Sequence, residues 1–327
     1  MTTRSDPSTL VERMRAGDRL ALARLITYVE NRTAAVPAVM KAIHGLGDEG
    51  YVVGITGPPG AGKSTLVDRL TARLRARGQT VGVVAVDPSS PFTGGAVLGD
   101  RIRMQAHALD PGVFIRSMAT RGAFGGLART TGNVIKLLLA AGFEWVLVET
   151  VGVGQTELDV MKQADTTVVV LVPESGDAVQ AMKAGLLEAA DVFVVNKADR
   201  AGASALMAEL KFAAHLAYTS ARPPRRVDWE VPVLATQAHT DTGVAELLET
   251  VERHRARLVE AGALAERRRA RRRDELKALL LEAFSARVEA SLAGGELAAT
   301  FDAVADGALD PYTAAESVLG MVSLGRS

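Results

Sequence analysis

The chain has 327 residues, 48% of them hydrophobic, which is enough to bury a full core and to build one large domain with extensions or two domains. Lys plus Arg and Asp plus Glu each number 38, so no global field favours nucleic acid or an anionic membrane, and neither is expected as a partner. The absence of cysteine excludes disulfides, thiolate metal sites and cysteine nucleophiles; with no signal-like stretch in the first twenty residues and no apolar run of membrane-spanning length, the chain reads as cytoplasmic.

In chain order, Leu22, Leu25, Ile26 and Val29 fall at helical spacing, and the Gly-rich stretch from Gly45 to Gly50 closes a helical leader over residues 1–50. From Tyr51 short apolar runs alternate with amphipathic spans. The runs are Tyr51 to Thr56, Val81 to Val86, Val113 to Ile115, Trp145 to Val148, Thr166 to Val172, Val192 to Val195 and Val231 to Leu234. Near-continuous valine-rich runs of this length are what parallel strands covered on both faces look like, and Ser64 to Arg77 and Leu127 to Ala141 suit crossover helices. Residues 51–250 therefore read as α/β, a doubly wound, mostly parallel sheet. Residues 251–327 read as a helical extension. There Leu276, Leu280, Phe284, Val288 and Leu292 recur every fourth residue, a stripe that either covers the core or meets another subunit. The Arg-rich run from Arg267 to Arg273 reads as a solvated helix face rather than a grip for a polyanion, and Asp310-Pro311 as an N-cap followed by proline at the first helical position.

Gly57-Pro58-Pro59-Gly60-Ala61-Gly62-Lys63-Ser64, with Thr65 next, matches G-x-x-x-x-G-K-[S/T] after an apolar strand and before a helical pattern. That is where backbone N–H groups and the positive end of a helix surround a phosphate, and where glycine lets the backbone come close to it. Lys63 is expected to bridge the β- and γ-phosphates and the Ser64 hydroxyl to ligate Mg2+. Asp87 and Glu149 follow strands and Asp100 follows Gly94-Gly95; acids at strand ends face the ligand crevice of a doubly wound sheet and can reach the metal directly or through water. Asn196-Lys197-Ala198-Asp199 matches N-K-x-D, in which the aspartate accepts two hydrogen bonds from guanine that adenine cannot offer. A magnesium-dependent hydrolase turning GTP into GDP is the resulting expectation.

With these motifs in hand the chain resembles the MeaB/ArgK family, GTPases that accompany methylmalonyl-CoA mutase and related adenosylcobalamin-dependent acyl-CoA mutases. The most specific marks are Val86-Asp87-Pro88-Ser89-Ser90, Gly94-Gly95, Gly99-Asp100-Arg101, Glu149 to Gln155, Asn196 to Asp199 and Asp310 to Glu316. The resemblance implies a G-protein chaperone of the P-loop type that gates adenosylcobalamin delivery, helps eject damaged cobalamin and protects the mutase. It implies a homodimer joined through C-terminal helices, which favours the subunit-interface reading of the leucine stripe. It also implies Lys63 and Ser64 on phosphates and magnesium, Asp87, Asp100 and Glu149 around the metal and its waters, and switch segments after those acids. The stretch from Pro173 to Asp177, continuing to Lys183, resembles a further loop that responds to the mutase. One departure stands out: Ala235-Thr236-Gln237-Ala238 replaces the usual Ser-Ala pair beside the guanine O6, leaving the Ala238 N–H, next to Gln237, as the candidate contact.

No positioned base is evident. Gln155 is the candidate for orienting the attacking water and Arg103 for stabilising transition-state charge. Rival readings are a nickel-insertion GTPase, disfavoured by five scattered histidines and no cysteine, an ATP-using kinase or transport-linked ATPase, and a non-catalytic scaffold.

Overall fold

The computed structural model describes residues 6–87, 105–107, 109–119, 126–150, 152, 159–175, 189–220, 227–293, 295 and 297–324. Seven strands form one sheet: β1 (Tyr51–Thr56), β2 (Val81–Asp87), β3 (Val113–Ala119), β4 (Trp145–Thr150), β5 (Thr166–Leu171), β6 (Val192–Asn196) and β7 (Val233–Thr236). Their order is β3-β2-β4-β1-β5-β6-β7, with every neighbouring pair parallel. This is the doubly wound sheet that the valine runs require. Two boundaries differ instructively. β3 continues past Ile115 through Arg116, whose charge breaks the apolar run but is paired with Glu30. β7 begins at Val233 rather than Val231, because Pro232 has no N–H to give a ladder, although its carbonyl accepts from Phe193.

Helices cover both faces. On one lie α1 (Pro7–Arg15), α2 (Arg19–Glu30), α3 (Val36–Ala42), α5 (Gly126–Ala140) and α6 (Ala203–Thr219); on the other lie α4 (Lys63–Ala76) and α7 (Val244–Glu260). Residue alternation along the strands explains the division: Val52, Val84 and Val146 pack with the leader side chains Leu10, Met14, Leu25 and Ile26, whereas Val53, Ile55 and Leu147 pack with Leu66, Leu70 and Leu247. The leader is thus part of the same core as the sheet. Asp18 caps α2, its Oδ1 accepting from Leu20 and Ala21, and those bonds together with Arg13 hold its carboxyl below the ordinary 3.8.

A buried polar network ties down the N-terminal ends of the strands. Tyr51 Oη lies 2.6 Å from Thr166 Oγ1, which lies 2.8 Å from His254 Nδ1, and His254 Nε2 is 3.4 Å from Asp191 Oδ1. Burial pushes the His254 imidazole below 6.5 despite the opposing pull of Asp191. The proton order that satisfies all four groups runs from the tyrosine hydroxyl to threonine, from threonine to Nδ1, and from Nε2–H to the carboxylate. Arg267 then pairs with Asp191 at 3.0 Å and Arg268 with the buried Asp165 at 2.7 Å. For these two arginines the expected solvated face is wrong: one helical turn brings their guanidinium groups onto carboxylates at the strand starts. Arg269, Arg272 and Arg273 are exposed.

The chain divides into two compact units, residues 1–268 and 269–327. α8 (Ala263–Ala293) begins in the first and continues into the second, which also holds α9 (Ala298–Ala305) and α10 (Pro311–Leu324). Leu276, Leu279, Leu280 and Phe284 are exposed on α8. Asp310 caps α10 by accepting from Tyr312 and Thr313 N–H groups at 3.0 Å, with Pro311 at the first position as its sequence requires. Among the described residues no helix is long and apolar enough to cross a membrane.

Candidate functional site

The candidate site lies at the C-terminal ends of β1, β4 and β6, which their parallel direction brings to one end of the sheet. After Thr56 the chain turns tightly into α4. Gly57 has φ +151°, and a Cβ there would stand 2.0 Å from the Val170 carbonyl oxygen of β5; Gly62 has φ +85°, and a Cβ there would stand 2.4 Å from Asn196 Nδ2. Both positions therefore admit only glycine. Pro59, Gly60 and Thr65 are exposed, while Pro58, Ala61, Lys63 and Ser64 are buried. Lys63 Nζ donates to the Gly57 carbonyl at 2.8 Å and the Pro58 carbonyl at 3.0 Å, so the ammonium folds over the loop it belongs to.

Glu149, opposite Ile55 in the β1–β4 ladder, is brought onto α4 by that pairing: Ser64 Oγ donates to Glu149 Oε1 at 2.6 Å, with both residues less than 10% exposed. A hydroxyl and a carboxylate oxygen side by side are hard donors of the kind magnesium takes. Among the described residues no group of three or more histidines or acids is arranged to hold a metal.

Asn196 joins three segments. Its Nδ2 donates to the Ala61 carbonyl at 2.8 Å, and its Oδ1 accepts from Thr236 Oγ1 at 3.0 Å and from the Ala238 N–H at 3.1 Å. The phosphate-loop backbone, the N-K-x-D turn and the loop after β7 are thereby cross-linked through one amide. The Ala238 N–H, which the sequence offers to a base, donates here to Asn196. Gln237 exchanges backbone hydrogen bonds with Thr242, closing the loop on itself. Lys197 takes a left-handed φ of 54°, turning the chain so that Asp199 stands exposed beyond the strand end. Arg200 pairs with Glu174 at the start of the loop after β5, and this hydrogen bond holds the Glu174 carboxyl below 4.5.

Lys63, Ser64, Glu149 and Asn196 therefore come together at one end of the sheet. Asp87 closes β2, its side chain lying outside the described residues, as do Asp100, Arg103 and Gln155. Three participants were not foreseen: Thr236, which supplies a hydroxyl to Asn196, and Thr56 and Thr150, whose hydroxyls lie 2.8 Å apart. In the sequence Thr56 closes the first apolar run, Thr150 lies within Glu149 to Gln155 and Thr236 within Ala235 to Ala238, but nothing there gives any of the three its partner.

A family model described as methylmalonyl-CoA mutase-associated GTPase MeaB matches residues 22–293. A Pyrococcus abyssi protein is 51% identical over 310 residues, covering 95% of each chain. The GTPase ArgK of Escherichia coli is 35% identical over 260 residues, 78% of this chain and 77% of its own. A crystal structure described as LAO/AO transport system kinase superposes with a TM-score of 0.71 at 27% identity, covering 99% of both chains.

Proposed function

We propose, from the premise that this chain belongs to the MeaB family of mutase-associated GTPases, that it is a nucleotide-switched chaperone of an adenosylcobalamin-dependent acyl-CoA mutase. It is a GTPase, and the family binds guanine nucleotides. In this proposal it acts in the cytoplasm as a homodimer joined through α8 and its neighbours, gates cofactor delivery to the mutase and protects that enzyme. The exposed apolar stripe of α8 supports the dimer part.

The single observation that carries the nucleotide part is the Asn196 cross-link, which sets the distance between the phosphate loop and the turn bearing Asp199. Lys63 would leave the Gly57 and Pro58 carbonyls for the β- and γ-phosphate oxygens, which offer its ammonium full negative charge instead of carbonyl dipoles. Ser64 and Glu149 would hold magnesium, which when bound supplies charge neutralisation on the phosphates. Asp199 would accept the guanine N1 and N2 protons, as charge-assisted bonds of about 1.5–3 kcal/mol each. Gln155 and Arg103 are proposed for orienting water and stabilising charge, and Asp87 and Asp100 for the metal's water shell. Hydrolysis without a partner should be slow, with mutase binding ordering these groups.

The test is calorimetry with GDP, a non-hydrolysable GTP analogue and ATP in magnesium, followed by retention of candidate mutases on the protein loaded with each guanine nucleotide. Guanine nucleotides should bind well above ATP, and one mutase should be held in a state-dependent way. ATP binding as tight as GTP binding would refute the guanine assignment and favour an ATP-using kinase. The same turnover with and without every mutase would remove the switch.

A further inference from the structure

Two buried hydroxyls at the root of the site have no part in the function as proposed. Thr56 is the last residue of β1 and directly precedes Gly57; Thr150 is the last residue of β4 and directly follows Glu149. Both are fully buried. Because Ile55 lies opposite Glu149 in the ladder, the next residue on each strand brings its side chain against the other, with Thr150 Oγ1 2.8 Å from Thr56 Oγ1. Both hydroxyls also reach the carbonyl oxygen of Gly152, Thr56 at 2.9 Å and Thr150 at 3.1 Å.

Two hydroxyls own two protons for three short contacts. The order that keeps every contact runs from Thr150 to Thr56 and from Thr56 to Gly152, with the Thr150 proton shared toward the same carbonyl; in such a chain each bond polarises the next. Packing alone does not call for this. Valine has the shape of threonine and an equal preference for strands, and valine does fill other buried positions on the same faces, Val52 of β1 and Val146 and Val148 of β4. The hydroxyls instead fix one backbone carbonyl, three residues beyond Glu149, against the residue that opens the phosphate loop.

We propose that Thr56 and Thr150 are positioning residues for GTP hydrolysis, holding the backbone that leaves Glu149 at a set distance from the phosphate loop through the Gly152 carbonyl. The inference rests on the nucleotide-site reading above, and the test separates the two because binding reports on the site and turnover on the positioning.

Thr56→Val, Thr150→Val, the double variant and Thr56→Ser are prepared in the full chain. GDP affinity, the kcat and KM for GTP in magnesium, and Tm are measured for each. Thr56→Val should keep GDP affinity and KM within about threefold while kcat falls about tenfold, the worth of one hydrogen bond realised in the transition state. Thr56→Ser, which keeps the hydroxyl, should restore kcat to within about twofold, and the double variant should be no slower than about twice Thr56→Val, because both act in one chain. Thr150→Val carries the test if Thr56→Val does not fold, with a kcat loss of about fivefold expected. Unchanged kcat in the folded valine variants, a kcat loss that serine does not rescue, or a loss that follows GDP affinity or Tm would overturn the proposal. Failure of the unaltered protein to bind guanine nucleotides would instead remove the site reading beneath it.

Discussion

Replacing Asn196 with alanine tests the cross-link on which the site depends. The side chain is 3% exposed and makes three hydrogen bonds, to the Ala61 carbonyl, the Thr236 hydroxyl and the Ala238 N–H. At about 1 kcal/mol net for each bond, the loss begins near 3 kcal/mol. The Ala238 N–H and Thr236 hydroxyl are then left buried without their acceptor, which raises the expected total to about 4 kcal/mol. Urea unfolding followed by the fluorescence of Trp145 and Trp229, both within residues 1–268, reads this directly. With a urea slope of about 3 kcal/mol/M for a unit this large, the midpoint should fall by about 1.3 M. GDP affinity should fall more than about tenfold, because the phosphate loop and the base-reading turn lose their fixed spacing. Thr236→Val removes a single bond and should cost about 1 kcal/mol with little effect on GDP. A shift below about 0.5 kcal/mol for Asn196→Ala, or equal costs for the two variants, would refute the reasoning.

Three other outcomes follow from the geometry. The folded-state pKa of His254 lies below its ordinary 6.5, so the unfolded chain takes up the proton first: stability is full above that value and is lost as pH falls toward the folded pKa. The urea midpoint should therefore drop between pH 7 and pH 5, and His254→Gln should flatten that drop. Asp165→Asn takes the carboxylate from Arg268 at a site where the aspartate side chain is 1% exposed, and should cost about 3 kcal/mol in the same assay, with equal stability of variant and parent counting against the pairing. Leu280→Asp places a charge in the exposed stripe of α8; light scattering should report a single chain for the variant and a larger mass for the parent, and identical masses would argue against the stripe as the subunit interface.

The parts of the fold legible in the sequence are those written contiguously. Seven valine-rich runs announce seven strands, and the phosphate loop and N-K-x-D turn each occupy consecutive residues after one of them. What the sequence hides is pairing across distance. Thr56 and Thr150 are 94 residues apart, Asn196 and Thr236 are 40 apart, and Asp165 and Arg268 are 103 apart, and a side chain's type does not say which partner the topology will bring to it. The arginine run misleads for this reason: charge at helical spacing reads as a wet surface unless the opposing carboxylates are known. Ser64 and Glu149, by contrast, were both legible as candidates, because each is tied to a strand end or a helix start, and the register of β1 and β4 then brings them together.

The arginine clamp at the strand starts also bears on how the polypeptide is made. Asp165 and Asp191 leave the ribosome long before the guanidinium groups that neutralise them, 103 and 76 residues earlier respectively. A nascent chain that has already paired its central strands still carries two acidic groups at the foot of the sheet, and their desolvation opposes closure until residues 267 and 268 emerge. Neutralising the foot of the sheet in residues 1–268 thus falls to the first turns of the helix that leads out of them.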